Sequence, residues 1–143
     1  MLVGGTVSAG GGSFRTHLSG DNEVPAVETQ GQGQALFKIS EDGASIDYKL
    51  IVANTDDLVQ AHIHLAPAGT NGSVVAFLFG PVAEGTNADG VLATGTITVD
   101  DLIGPLAGEP LSEFIDAMGS GGAYVNVHTL DNPGGEIRGQ IDG

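Results

Sequence analysis

Alternation of apolar and polar residues with a period of two constrains this chain more than any other feature. Phe14, Thr16 and Leu18 point one way while Arg15 and His17 point the other. Ala35, Phe37 and Ile39 alternate with Leu36 and Lys38, and Glu41-Asp42-Gly43-Ala44 then supplies turn chemistry. Beyond it Ile46, Tyr48, Leu50 and Val52 share a face opposite Asp47, Lys49 and Ile51. Two alternating runs around an Asp-Gly turn read as a β-hairpin. Strands patterned in this way have one face to bury, so they must stack on another layer or close on themselves.

The same signal continues downstream. A strand is expected over Val59–Leu65, ended by the turn-rich Pro67-Ala68-Gly69-Thr70-Asn71-Gly72. Val74–Phe79 is apolar on both faces, which suggests a central buried strand, and β-branched residues mark another over Val91–Val99. Tyr124–Thr129 and Glu136–Ile141, joined through Asp131-Asn132-Pro133-Gly134-Gly135, read as a final hairpin. One segment departs from the period: Leu111, Phe114, Ile115 and Met118 recur at helical spacing, with Pro110 fitting the first turn and Gly119 the position past its end. Asp100-Asp101-Leu102-Ile103 suggests a shorter helical turn. The expected fold is all-β: an antiparallel Greek-key β-sandwich or barrel of about eight strands with one short helix.

Composition narrows the function. The 143 residues suit one domain, and 41% hydrophobic residues can form a core. The 24 glycines are scattered rather than periodic, as tight turns require and collagen does not. A net charge of −14, with only four lysines and arginines, argues against nucleic acid and anionic membrane surfaces, which are bound through cationic side chains. The acidic surplus reads as a solvated surface whose self-repulsion favours a monomer. No apolar stretch reaches the roughly 18 residues that span a bilayer. Residues 1–13 read as a flexible Gly-rich leader and residues 14–143 as the β domain. The leader lacks the basic region and apolar run of a signal peptide, although Val7-Ser8-Ala9 resembles the end of a cleavage site. Without cysteine there is no disulfide, zinc–thiolate, iron–sulfur or blue-copper site.

Four stretches carry a family resemblance: Leu18-Ser19-Gly20-Asp21-Asn22-Glu23-Val24-Pro25, Ala61-His62-Ile63-His64-Leu65-Ala66-Pro67-Ala68-Gly69, Gly122-Ala123-Tyr124-Val125-Asn126-Val127-His128-Thr129, and Asn132-Pro133-Gly134-Gly135-Glu136-Ile137-Arg138-Gly139. In this order they resemble the CHRD domain, the module named after chordin and found singly in secreted or surface proteins of bacteria and archaea. The resemblance runs from about Phe14 to Ile141. It implies an all-β module in an extracellular, periplasmic or cell-surface setting, with protein partners outside the cell in the animal case. It implies no catalytic activity.

The histidines carry the chemistry. His62 and His64 are two apart on an expected strand, so both project from one face while Ala61, Ile63 and Leu65 take the other. The same rule groups Tyr124, Asn126 and His128 and turns Val125 and Val127 to the core. If the two strands are neighbours, three imidazoles converge, and three nitrogen ligands with an open position describe a catalytic type of zinc site. Carbonic anhydrase and copper–zinc superoxide dismutase also place a His-x-His on a strand, an analogy of geometry that assigns no reaction. The Irving–Williams order puts copper first and zinc second. Glu23 is a candidate further ligand or orienting group, as is Asn126, and His17 is a weaker candidate. The alternative for the imidazoles is hydrogen bonding to backbone or stacking on aromatics, without metal.

Other motifs point to structure. Glu136 and Arg138 share a strand face, and a paired structural role for Arg138 is favoured. Asp131-Asn132 and Asp21-Asn22-Glu23 offer oxygen ligands but lack EF-hand spacing. Gly119-Ser120-Gly121-Gly122 follows a helix and precedes a strand, the reverse of a phosphate loop. The sequence therefore supports an extracellular metal-binding module, with two alternatives: an interaction or structural module without metal, and a metal-dependent dismutase-like or hydratase-like enzyme.

Overall fold

A computed structural model describes residues 11–142. Eight strands form one sheet: β1 (Ser13–Ser19), β2 (Gln32–Ile39), β3 (Ile46–Ala53), β4 (Leu58–Leu65), β5 (Ser73–Phe79), β6 (Gly90–Ile97), β7 (Ala123–Thr129) and β8 (Ile137–Gln140). Every ladder is antiparallel, and the spatial order is β5-β4-β7-β8-β1-β2-β3-β6. The strands curl until β5 approaches β6, giving the nearly closed barrel expected of this pattern. Residues 1–10 of the leader lie outside the described residues. Gly11 and Gly12 already exchange backbone hydrogen bonds with Ser40 and Ile39. Among the described residues no helix is long and apolar enough to cross a membrane.

Strand periodicity places the core. In β2 every second residue is buried, with Gly33, Ala35, Phe37 and Ile39 inward. The turn at residues 40–45 sets Ile39 opposite Ile46 and Phe37 opposite Tyr48, which brings the apolar faces of β2 and β3 together. The one helix, α1 (Leu111–Gly119), buries Leu111, Phe114, Ile115 and Met118 in the same core. Its boundaries move by a residue or two from the sequence expectation. Pro110 is the N-cap, Gly119 is still helical, and the left-handed residue comes at Gly121 with φ +79°. The expected strand Val91–Val99 ends at Ile97, and Val99–Asp101 forms a 3-10 turn.

The placement of Val74–Phe79 differs from expectation. This strand is β5, at one end of the order rather than in its centre, and Phe77 is 44% exposed. Its free edge is covered by irregular chain, where the Ile103 amide donates to the Val75 carbonyl, and such cover blunts a sheet edge. Tyr48 helps bridge the seam. Its hydroxyl donates to the Leu78 carbonyl at 2.7 Å, and its ring passes over Gly95 of β6, where a Cβ would come within 2.7 Å of the hydroxyl. Only glycine leaves that path open.

Candidate metal centre

The site grows from the alternation of β4 and β7. Ala61 and Ile63 of β4, and Val125 and Val127 of β7, are fully buried inside the barrel. That fixes His62, His64, Tyr124, Asn126 and His128 on the outer face. Register brings them together: His62 lies opposite Asn126, His64 opposite Tyr124 and Gln60 opposite His128. β4 is bulged against β5 on either side of His62, at Ala61/His62 and Ile63/His64. Bulges concentrate beside functional groups because they re-aim side chains.

An outer-face patch would ordinarily be wet, yet His62, His64 and His128 retain only 5%, 9% and 7% of their accessible surface. Phe77 packs edge-on against His62, with centroids 4.4 Å apart. The turn ending at Gly72 covers His64, and the hairpin loop carrying Pro133 covers His128.

Proton accounting shows what the imidazoles can bind. His64 Nδ1 lies 2.9 Å from the Gly72 carbonyl oxygen, and His128 Nδ1 lies 2.9 Å from the Pro133 carbonyl oxygen. His62 Nε2 is 3.1 Å from Gln60 Oε1. The two backbone oxygens only accept, so His64 Nδ1 and His128 Nδ1 carry the hydrogen; with Gln60 Oε1 as its acceptor, His62 carries its hydrogen on Nε2. The opposite nitrogens of the neutral rings, His62 Nδ1, His64 Nε2 and His128 Nε2, therefore present bare lone pairs. His62 Nδ1 and His128 Nε2 lie 3.2 Å apart, and the His62 tautomer decides whether a hydrogen lies between them. His64 Nε2 is buried and has no hydrogen-bond partner.

One ligand atom from each histidine lies within 4.8 Å of the others. Metal–nitrogen bonds of about 2.0–2.1 Å at tetrahedral angles put ligand nitrogens about 3.3 Å apart. The 3.2 Å pair already meets that spacing. The other separations reach up to 4.8 Å.

The surroundings keep the rings neutral. Burial, with the neighbouring His128 and His64 acting in the same direction, lowers the His62 pKa to about 4. Burial also lowers His64, against the opposing effect of its bond to Gly72 and with help from His128 and Arg138. His128 is lowered by burial, against its bond to Pro133. All three are thus in the ligating form at neutral pH.

The remaining candidates lie around the centre. Glu23 Oε2 accepts from Asn126 Nδ2 at 2.6 Å, and the same amide group donates to the Ile137 carbonyl. Glu23 and Asn126 therefore satisfy each other beside the histidines. Burial raises the Glu23 pKa to about 7, opposed by the Asn126 bond and the charge of Arg138. His17 is exposed on β1, in a cleft of about 690 Å³ that Arg15, Glu23 and Arg138 also line, and it is outside the three-histidine group. Arg138 is structural, but its hydrogen bonds differ from the expected carboxylate pairing: it donates to Asn71 Oδ1 and the Thr70 carbonyl. Its guanidinium lies 3.5 Å over the Tyr124 ring, which stacks on His64 at 7°. Glu136 accepts from Thr29, Thr129 and Asn132.

Sequence reasoning did not find Gln60, Phe77 or the Gly72 and Pro133 carbonyls. Gln60 had a signal, two residues before His62 on the same strand face. The backbone carbonyls had none, because any residue could supply them.

No curated protein and no solved structure matches the chain. The family model of the CHRD domain matches residues 14–141, nearly the whole chain, and the protein belongs to that family.

Proposed function

We propose that this CHRD domain binds one transition-metal ion, copper first and zinc second, through His62 Nδ1, His64 Nε2 and His128 Nε2. The observation that carries the reading is that each of three buried histidines offers a nitrogen within 4.8 Å of the others, with His64 Nε2 buried and without a hydrogen-bond partner. A buried polar atom left unpaired costs about 1–3 kcal/mol, and a bound cation would satisfy all three at once. The oxygens on the opposite nitrogens orient the rings, as outer contacts of metal-ligating histidines commonly do.

Binding is favoured over turnover. The histidines are enclosed, and Glu23, the nearby carboxylate of perturbed pKa, is engaged with Asn126 rather than with an imidazole. Storage, delivery or sequestration of the ion fits this enclosure. Resemblance to free-standing CHRD modules supports an extracellular, periplasmic or cell-surface location. Isothermal titration of tag-free protein with zinc(II) or copper(II) at neutral pH should show about one tight site. The His62→Ala, His64→Ala double variant should lose it, and unchanged affinity in that variant refutes the assignment.

A further inference from the structure

The centre is neutral through two layers of contacts. Its inner donors are three uncharged imidazoles, and among the described residues no carboxylate joins them in the ligand group. Its outer contacts are three uncharged oxygens, those of Gln60, Gly72 and Pro133. Histidine ligands often rest on a carboxylate, which raises their basicity and offsets the charge of the ion; here none does so. On one side the Arg138 guanidinium lies over Tyr124, whose ring stacks on His64. On another side lies the Phe77 ring. Glu23 Oε2 accepts from the Asn126 amide.

A neutral, enclosed pocket discriminates by charge. The cost of desolvating an ion in a poorly polarisable interior grows with the square of its charge, so a divalent ion costs about four times as much as a monovalent one of equal size. Geometry acts in the same direction. Copper(II) prefers four donors in a tetragonal plane, whereas two adjacent strands supply three nitrogens converging from one side.

We propose that the three-histidine centre prefers copper(I) over copper(II), stabilising the reduced ion in an uncharged imidazole pocket. The inference rests on the metal-binding reading above and adds the oxidation state. Reduction of the bound ion takes one electron from an external one-electron donor and requires no proton transfer or bond change in the protein.

The test compares two dissociation constants for tag-free protein at pH 7.5. Copper(I) is kept reduced anaerobically with ascorbate and competed against bicinchoninate; copper(II) is competed against glycine. Copper(I) should bind at least tenfold more tightly, which raises the one-electron potential above that of the free ion couple by about 59 mV. Gln60→Glu should then shift the ratio about tenfold toward copper(II), because it places a carboxylate on His62 Nε2–H at a half-buried position. Copper(II) binding as tight as copper(I), or a ratio unmoved by Gln60→Glu, overturns the preference and leaves metal binding standing. Failure of both ions to bind overturns the metal reading and this inference together.

Discussion

Replacing His64 by phenylalanine separates the metal reading from a merely structural one. The His64 ring stacks on Tyr124 at 4.8 Å and 7°, and phenylalanine keeps that stack and nearly the same volume. Two energetic terms change with opposite sign. Removing the unpartnered Nε2 relieves about 1–3 kcal/mol. Losing the Nδ1–H bond to Gly72 costs a comparable amount, since that carbonyl is left without this donor. The metal-free variant should therefore match the wild-type stability within about 1 kcal/mol by urea denaturation. Metal separates the two proteins. Zinc(II) at a hundredfold excess over Kd stabilises a one-site protein by about 2.7 kcal/mol, which is about 10 °C in Tm for a domain of this size. Thermal melts should show that rise in the wild type and almost none in His64→Phe. A wild type that gains nothing from zinc or copper, or a variant that keeps the full rise, refutes the proton accounting at the centre.

Other perturbations test the scaffold. Phe114→Ala empties a fully buried site where α1 meets the barrel core and should cost about 3–5 kcal/mol in urea unfolding; a loss below about 1 kcal/mol would deny α1 its core role. Gly135→Ala meets both a backbone φ of +123° and a Cβ only 2.6 Å from Asn126 Oδ1 and 2.7 Å from Glu23 Oε2. It should destabilise by more than about 1 kcal/mol and weaken zinc binding by displacing the hairpin that carries Pro133, with wild-type Tm and affinity as the contrary result. Glu23 has its pKa raised from 4.5 to about 7, so its neutral form favours folding below 4.5 and that contribution is lost as pH rises through about 7. Glu23→Gln should flatten this part of the stability profile between pH 4.5 and about 7, and equal slopes in both proteins would contradict it.

Sequence alone determined the strands and their faces. Alternation is a local consequence of the extended backbone, so the inward Ala61, Ile63, Val125 and Val127 were legible, as was the outward set His62, His64, Asn126 and His128. The helical face of Leu111, Phe114, Ile115 and Met118 was legible for the same reason. A local signal does not choose neighbours. Val74–Phe79 is apolar on both faces, yet it lies at the end of the sheet order, with chain rather than another ladder along its free edge. Phe77 uses its outward position to cover His62.

Only the tertiary structure decided that β4 and β7 are neighbours, which brings residues 62 and 128 to a 3.2 Å contact across 66 positions of sequence. It also decided that loops bury the outer face, and that Gln60, Gly72 and Pro133 each set an oxygen against one ring nitrogen. The physical reason is that side-chain direction follows from each residue's own backbone, whereas lone-pair direction depends on which distant oxygen accepts the opposite hydrogen. The sequence supplied three imidazoles on one outward face, and the fold brought one nitrogen of each within 4.8 Å of the others.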